Sequence, residues 1–216
     1  MVIYISMIEF IEFVKTKINE KRSVNRNLNF IQIGAYDGVS FNDVANLTLI
    51  PEDKGIFIEP NKNIFDTLKK NKKGFESSSF LNIAIIPNEN FDHEYFYIDQ
   101  YGGQSTFVNN VFNEKIHIEE KVDFSTVSEL FSKYIDFKID IIFLDCEGYD
   151  HDIVKELLKI QKPDILYFES WDTKNLNNNL NSNKFTTREE ILEILLKTGY
   201  TIKFEPTEEN IIAFKK

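Results

Sequence analysis

Four short apolar runs in this 216-residue chain each end on a residue suited to chemistry: Gly34, Glu59, Asp145 and Glu169. The first run, Phe30-Ile31-Gln32-Ile33, meets Gly34, and Gly38 follows four residues later. Glycine lets a backbone pass close to a ligand directly after a strand. The second run, Gly55-Ile56-Phe57-Ile58, ends on Glu59. An acid at that position can accept hydrogen bonds from a ribose diol. Together they predict a nucleoside-bearing cofactor at the C-terminal ends of parallel strands. The later runs add groups able to take a proton. Asp145 and Glu147 stand two apart, so an extended backbone turns both to one side, and a close pair of carboxyls raises the pKa of one. Glu169 and His151 complete the candidate bases. Taken singly, an acid after a strand is as readily a helix cap or a solvated turn residue, and Glu147 equally reads as a cap for the adjoining helix. Four such tips in one chain are the signal.

Periodicity supplies the frame for those tips. Ile8, Ile11, Phe13, Val14 and Ile18 fall on one face, which predicts an amphipathic helix over 7–21. Strands are expected at 30–34, 55–59, 80–86, 140–145 and 165–168, with helices at 41–49, 64–72, 127–134, 152–158 and 187–197. Two further strands are expected at 91–99 and 115–123, and 200–204 with 210–214 read as a closing antiparallel pair. The asparagine-rich stretch 175–183 reads as a surface loop. Strands alternating with helices predict a doubly wound α/β fold, its sheet mostly parallel with a C-terminal antiparallel pair and helices on both faces. An N-terminal helical segment over 1–27 and one domain over 28–216 are expected.

Hydrophobic residues make up 42% of the chain, enough for one domain with a substantial core and too many for a disordered chain. Most of the 20 phenylalanines are expected as core filler. A net charge of −10 makes the chain a poor partner for nucleic acids, which are bound through Lys and Arg, and for anionic membranes. One cysteine, Cys146, rules out an internal disulfide and agrees with a reducing cytoplasm. Residues 1–6 are apolar but short, Glu9 and Glu12 interrupt the stretch after them, and no run approaches the ~20 residues of a membrane span. A cytoplasmic protein is therefore expected, with its oligomeric state left open.

The glycine loop discriminates between cofactors. A dinucleotide fingerprint, G-x-G-x-x-G, needs its middle glycine for close approach to a pyrophosphate, and Tyr36 stands there. That counts against NAD and FAD. A cofactor without phosphates, S-adenosylmethionine (SAM), suits the loop better. An NAD-dependent oxidoreductase and a SAM-binding protein without catalytic activity are the competing readings.

Several motifs, in order and spacing, resemble the FkbM-type SAM-dependent methyltransferases of the class I methyltransferase fold. They are Ile33-Gly34-Ala35-Tyr36-Asp37-Gly38-Val39-Ser40, Gly55-Ile56-Phe57-Ile58-Glu59-Pro60-Asn61, Asn82-Ile83-Ala84 and Leu144-Asp145-Cys146-Glu147-Gly148. The chain departs from the commonest pattern at Tyr36, where a small polar residue such as Asn is frequent, and at Cys146, where an aliphatic is usual. The resemblance implies that Gly34, Ala35, Asp37 and Gly38 line the methionine and ribose region, with Tyr36 and Ser40 in the same loop. It implies Glu59 on the ribose hydroxyls, Pro60 and Asn61 beside the adenosine, and Ile83 and Ala84 against the adenine. Asp145 would lie beneath the methionyl end, with Glu147 and Gly148 shaping the floor. The implied reaction is O-methylation of a small hydroxylated molecule, often a sugar or glycan precursor. Mg²⁺ on Asp145 and Glu169 is a minority expectation, since oxygen ligands suit that ion. His93 and His117 are expected to be ordinary surface or hydrogen-bonded residues, and Cys146, flanked by acids, an inert thiol. Trp171, Asp172 and the loop Gly102-Gly103-Gln104-Ser105-Thr106 are candidate borders of an acceptor pocket.

Overall fold

Side chains on successive residues of a strand point to opposite faces, and two separate apolar clusters record that alternation. Phe30, Phe57, Phe143, Tyr167 and Ile212 belong to one, while Ile31, Ile56, Ile58, Ile142, Leu144, Leu166 and Phe168 belong to the other. Both faces of one sheet are therefore buried. The computed structural model describes residues 6–25, 27–40, 44–89, 96–99, 105–106, 117–146, 148–170, 185–207 and 209–215.

In chain order the elements are α1 (Met7–Asn25), β1 (Asn29–Ile33), α2 (Val44–Thr48), β2 (Lys54–Ile58), α3 (Lys62–Asn71), β3 (Ser79–Leu81) and β4 (Ala84–Ile86). Next come β5 (Phe96–Asp99), β6 (Ser105–Thr106), β7 (His117–Glu120), β8 (Phe124–Thr126), α4 (Val127–Tyr134), β9 (Ile141–Leu144) and α5 (Asp150–Ile160). The last are β10 (Ile165–Glu169), α6 (Arg188–Lys197), β11 (Thr201–Phe204) and β12 (Asn210–Phe214). The main sheet runs β11-β12-β10-β9-β1-β2-β3. Its strands are parallel except β12, which is antiparallel to both β10 and β11. This is the doubly wound α/β sheet with a closing antiparallel pair that the sequence predicts.

One face is covered by α1, α2 and α3, through Phe10, Val14 and Ile18, Val44 and Ala45, and Phe65 and Leu68. The other is covered by α4, α5 and α6, through Leu130, Ile153, Leu157, Ile191 and Leu195 among others. The α1 residues recur every fourth position, so one stripe of the helix is buried. Its far end is pinned by Arg22, which donates to Asp53 at 2.7 Å and to the Thr48 carbonyl at 3.0 Å. Asp53, fully buried, also accepts the Leu28 amide at 2.8 Å. Helices α4 and α6 begin with capping boxes, Thr126 with Glu129 and Thr187 with Glu190, each cap contributing about 1 kcal/mol.

Three expectations change. Ser105 and Thr106, expected in a loop, form β6, which pairs with β5. The strand expected over 80–86 is two strands: β3 joins the main sheet, and β4 pairs with β8 in a separate two-stranded sheet. The break lies at Asn82, whose side-chain amide donates to the Glu59 carbonyl at 2.9 Å and the Pro60 carbonyl at 2.8 Å. The helix expected at 152–158 starts earlier, at Asp150, so His151 lies in its first turn. Among the described residues no helix is long and apolar enough to cross a membrane.

Candidate active site

Strand register brings the predicted tips level. Ile33 is aligned with Ile58 on one side and Leu144 on the other, and Leu144 with Phe168. The next residues along are Gly34, Glu59, Asp145 and Glu169, so all four meet at one edge. From β1 the chain moves outward through β2 and β3, then returns to build β9 and β10 on the other side. The gap between β1 and β9 is thus a topological switch point, where open α/β sheets bind ligands.

The glycine loop is held by backbone. The amides of Gly34 and Ala35 both donate to the Ile58 carbonyl, at 3.0 and 2.9 Å, folding the loop over the end of β2. Gly34 has φ +77°, and a Cβ there would lie 1.9 Å from the Asp145 carbonyl oxygen, so no other residue fits without displacing β9. Tyr36 adopts the left-handed region at φ 49°, which costs an L-residue roughly 1–2 kcal/mol and which Asn tolerates better. Asp37 closes the loop: one carboxylate oxygen accepts the amides of Val39 (2.9 Å) and Ser40 (2.8 Å), the other the Ser40 hydroxyl (2.6 Å). Burial raises the Asp37 pKa, but these bonds and the Lys72 charge outweigh it and hold the carboxyl below its ordinary value.

Glu59 lies beneath that loop and is only 6% exposed. One carboxylate oxygen accepts the Asn61 amide at 2.8 Å, the other the Tyr36 amide at 3.0 Å. Burial pushes its pKa up to about 7 against those two amides, and the charge on Asp145 pushes the same way. Each oxygen keeps a second lone pair for a ligand hydroxyl. Asn61 caps α3, its side-chain oxygen accepting the amides of Asn63 and Ile64 at 3.1 and 3.3 Å. Pro60 and Ile83 are half-buried and Ala84 is buried, its amide bonded to the Asp123 carbonyl at 2.8 Å.

Across the switch point the groups are more open. Asp145 is exposed at the tip of β9, its amide donating to the Ile33 carbonyl at 3.0 Å. Asp150, which sequence reasoning missed, is buried beneath the same loop, where both carboxylate oxygens face the Cys146 amide at 3.2 and 3.3 Å. Burial, then the charge on Asp145, drives its pKa upward. An acid in a helix's first turn is common enough that nothing in the sequence marked it. Desolvation also drives the Cys146 thiol up, with Asp150 and Asp145 adding to it, so the thiol is inert as expected. Glu169 ends β10 partly exposed, aligned with Asn210 of β12.

His151 is held away from solvent at 2% exposure. Its Nδ1 is 3.1 Å from the Thr186 carbonyl oxygen and its Nε2 is 3.0 Å from the Ser170 hydroxyl. A carbonyl only accepts, so Nδ1 carries the proton and Nε2 accepts from Ser170. The ring joins α5, the end of β10 and the entry to α6. Glu147, Trp171, Asp172, His93 and residues 101–104 lie outside the described residues, as does the side chain of His117. Among the described residues no group of three or more His, Cys, Asp or Glu could hold a metal ion.

A cavity of about 390 Å³ opens beside the switch point, between the start of α1 and the tips of β1 and β9, with Gly34 and Asp145 on its wall. Bent glycine loop, buried acid and Asp145 stand level on one edge of the sheet. The sequence profile of the methyltransferase FkbM domain matches residues 32–202, which hold all three. The chain belongs to the FkbM methyltransferase family. No curated protein matches it in sequence. Its fold is similar to that of a Staphylococcus aureus protein assigned as a caffeoyl-CoA O-methyltransferase, with a TM-score of 0.50 and 13% identity over 96% of this chain and 83% of that one. An FkbM methyltransferase from Methylobacillus flagellatus aligns at TM-score 0.45 and 14% identity, over 87% of this chain and 43% of that one. An O-methyltransferase from Bacillus cereus, solved with SAH, aligns at TM-score 0.43 and 11% identity, over 97% and 90%. For an FkbM methyltransferase, the fold expected from the sequence is the one found.

Proposed function

We propose that this FkbM-family chain is a SAM-dependent O-methyltransferase acting in the cytoplasm on a hydroxyl of a small molecule, with a sugar or glycan precursor as the acceptor class. The observation that carries the reading is Glu59: a buried carboxylate fixed by the Tyr36 and Asn61 amides, level with Gly34 and Asp145 at the switch point. Its spare lone pairs suit a ribose diol, and Tyr36 occupies the place where a pyrophosphate would need glycine.

On this reading Gly34, Ala35, Asp37, Gly38 and Asp145 hold the methionyl and ribose region, and Tyr36 and Ser40 shape the loop. Pro60, Asn61, Ile83 and Ala84 border the adenine. When bound, SAM supplies a sulfonium-activated methyl group. The rigid loop fixes the donor's position, and such alignment supplies roughly 7–11 kcal/mol of a two-substrate barrier. Asp145, exposed at the lip, accepts the proton of the acceptor hydroxyl, a role contributing about 10²–10⁴-fold. Glu169 is the neighbouring carboxylate on the same edge, and Glu147 shares the motif. His151 spends both ring nitrogens on its neighbours and acts as a fastener rather than a base. The reading needs no metal.

Titration with SAM and with NAD tests the cofactor: SAM alone should bind. Asp145→Asn should lower turnover about 10²-fold or more while changing SAM affinity less than about tenfold. Full activity in that variant would remove Asp145 as the base. Activity lost in EDTA and restored by magnesium would bring back the metal reading.

A further inference from the structure

The peptide group between Asp145 and Cys146 is held along both of its edges. Its carbonyl packs against Gly34, where an added Cβ would lie 1.9 Å from the oxygen. Its N–H, the Cys146 amide, faces the Asp150 carboxylate, 3.2 and 3.3 Å from the two oxygens. The amides of Asp150 itself and of Gly148 bond to the same carboxylate, which is only 3% exposed. Asp145's own amide is already tied to the Ile33 carbonyl at 3.0 Å. Tyr149, at the N-cap of α5, makes no side-chain cap bond, so the acid one residue further in is the group that reaches back over the loop. An ordinary helix cap holds its own helix alone. This one reaches four residues upstream, to the amide directly after Asp145.

Asp150 is itself on a fixed base. His151 and Asp152 follow it in the same turn of α5: His151 Nε2 accepts the Ser170 hydroxyl at 3.0 Å, and Asp152 accepts the Thr186 amide at 3.1 Å. Consecutive side chains thus tie one turn to the loop after β9, to the end of β10 and to the entry of α6. A planar trans peptide turns as one unit, so its carbonyl and its N–H move together. Rotating it to free the Cys146 amide would swing the Asp145 carbonyl off Gly34 and re-aim the Asp145 side chain. We infer that Asp150 is a positioning residue for methyl transfer: from the first turn of α5 it fixes the Asp145–Cys146 peptide and, through it, the direction of the Asp145 carboxylate. It acts through that peptide and touches neither donor nor acceptor. The inference rests on the methyl-transfer reading above, with Asp145 as the base.

The test compares two variants of the intact chain, with tritiated SAM and with glucose, glucosamine and UDP-glucose as acceptors. Asp150→Ser keeps a hydroxyl for the first amides of α5 but sets it back by one bond from Cys146. Asp150→Asn keeps one oxygen at full reach. The Ser variant should lose about tenfold to 100-fold in kcat, as when a reacting group is misplaced by about 1 Å, while SAM affinity stays within about threefold. The Asn variant should recover most of that loss. Amide exchange read by NMR should speed about tenfold or more at Cys146 in the Ser variant, and stay unchanged at Ala35, whose amide the Ile58 carbonyl holds. In either variant, faster exchange at Cys146 with kcat intact overturns the inference and leaves the methyl-transfer reading standing. SAM affinity that falls in step with kcat, or an Asn variant no better than Ser, overturns it as well. Wild-type protein that binds no SAM, or binds it and methylates none of the three acceptors, overturns the methyl-transfer reading and this inference with it.

Discussion

The two halves of the sheet's C-terminal edge are built on different principles. On the β1–β2 side, main-chain groups and nearby side chains satisfy one another. The Gly34 and Ala35 amides share the Ile58 carbonyl, Glu59 holds the Tyr36 and Asn61 amides, and Asn82 ties down the Glu59 and Pro60 carbonyls. On the β9–β12 side, Asp145 stands exposed, Glu205 keeps one oxygen open, and the cavity wall is assembled from α1, β1, β9, β10 and the last hairpin. A pocket made of backbone keeps its shape whatever the surrounding side chains become. One made of side chains changes with each substitution. On the proposed reading the first holds the cofactor, and the second is the half where a change of side chain would be felt.

The sharpest way to break this contrast is Gly34→Ala. The added Cβ meets the Asp145 carbonyl at 1.9 Å, and the left-handed backbone alone costs about 1–2 kcal/mol. SAM affinity should fall by about 100-fold or more, read by calorimetry beside a thermal melt. Unchanged affinity would mean that the loop is not the pocket wall. Next in size, His151→Ala should destabilise the fold by about 2–4 kcal/mol, because it leaves a cavity and strands the Ser170 hydroxyl and the Thr186 carbonyl. The pH profile of kcat/KM should keep its shape, and loss of its acidic limb would instead make His151 the base.

A smaller effect separates the halves by pH. Glu59 titrates near 7 in the fold against 4.5 for the free side chain, so the folded protein binds that proton more tightly. Its contribution to stability is full below the lower value and is lost as pH rises through the upper one. On the proposed reading SAM binding runs the other way: a ribose diol on Glu59 would prefer the ionised carboxylate, so affinity should fall by up to about tenfold per unit below pH 7. Glu59→Gln should flatten both curves, and a wild-type affinity that ignores pH would detach Glu59 from the ligand. Smallest of all, Tyr36→Asn relieves the left-handed strain without touching the Glu59 contact, which uses the amide. It should raise Tm by about 2–4 °C, equivalent to about 1 kcal/mol, and leave SAM affinity within about threefold.

The contrast also explains which parts were legible. Gly34–Gly38, Glu59-Pro60-Asn61 and the alternation of strands with helices could be read because each signal is local: an apolar run, a turn residue, an acid. Asn82 as a strand breaker was missed because the pattern from Phe80 to Ile86 is apolar enough to run on, and only the folded Glu59-Pro60 turn offers the amide its two carbonyls. The role of His151 was hidden for a related reason, since Ser170 and Thr186 lie far along the chain. Gln32 and Glu205, which line the cavity, carried no sequence signal at all. A glutamine inside a strand and a glutamate after one look ordinary until α1 and the last hairpin close around the same space.

Helix α1 lies wholly before the family-matched stretch at 32–202, yet Met7 and Ile11 line the cavity while Phe10, Val14 and Ile18 anchor the same helix in the core. Adjacent positions on one helix are thus divided between holding on and reaching in. Evolution, or a designer, can rewrite the inward-reaching positions as a separate dial, exploring new chemistry at the cavity while the glycine loop and its buried acid are inherited intact.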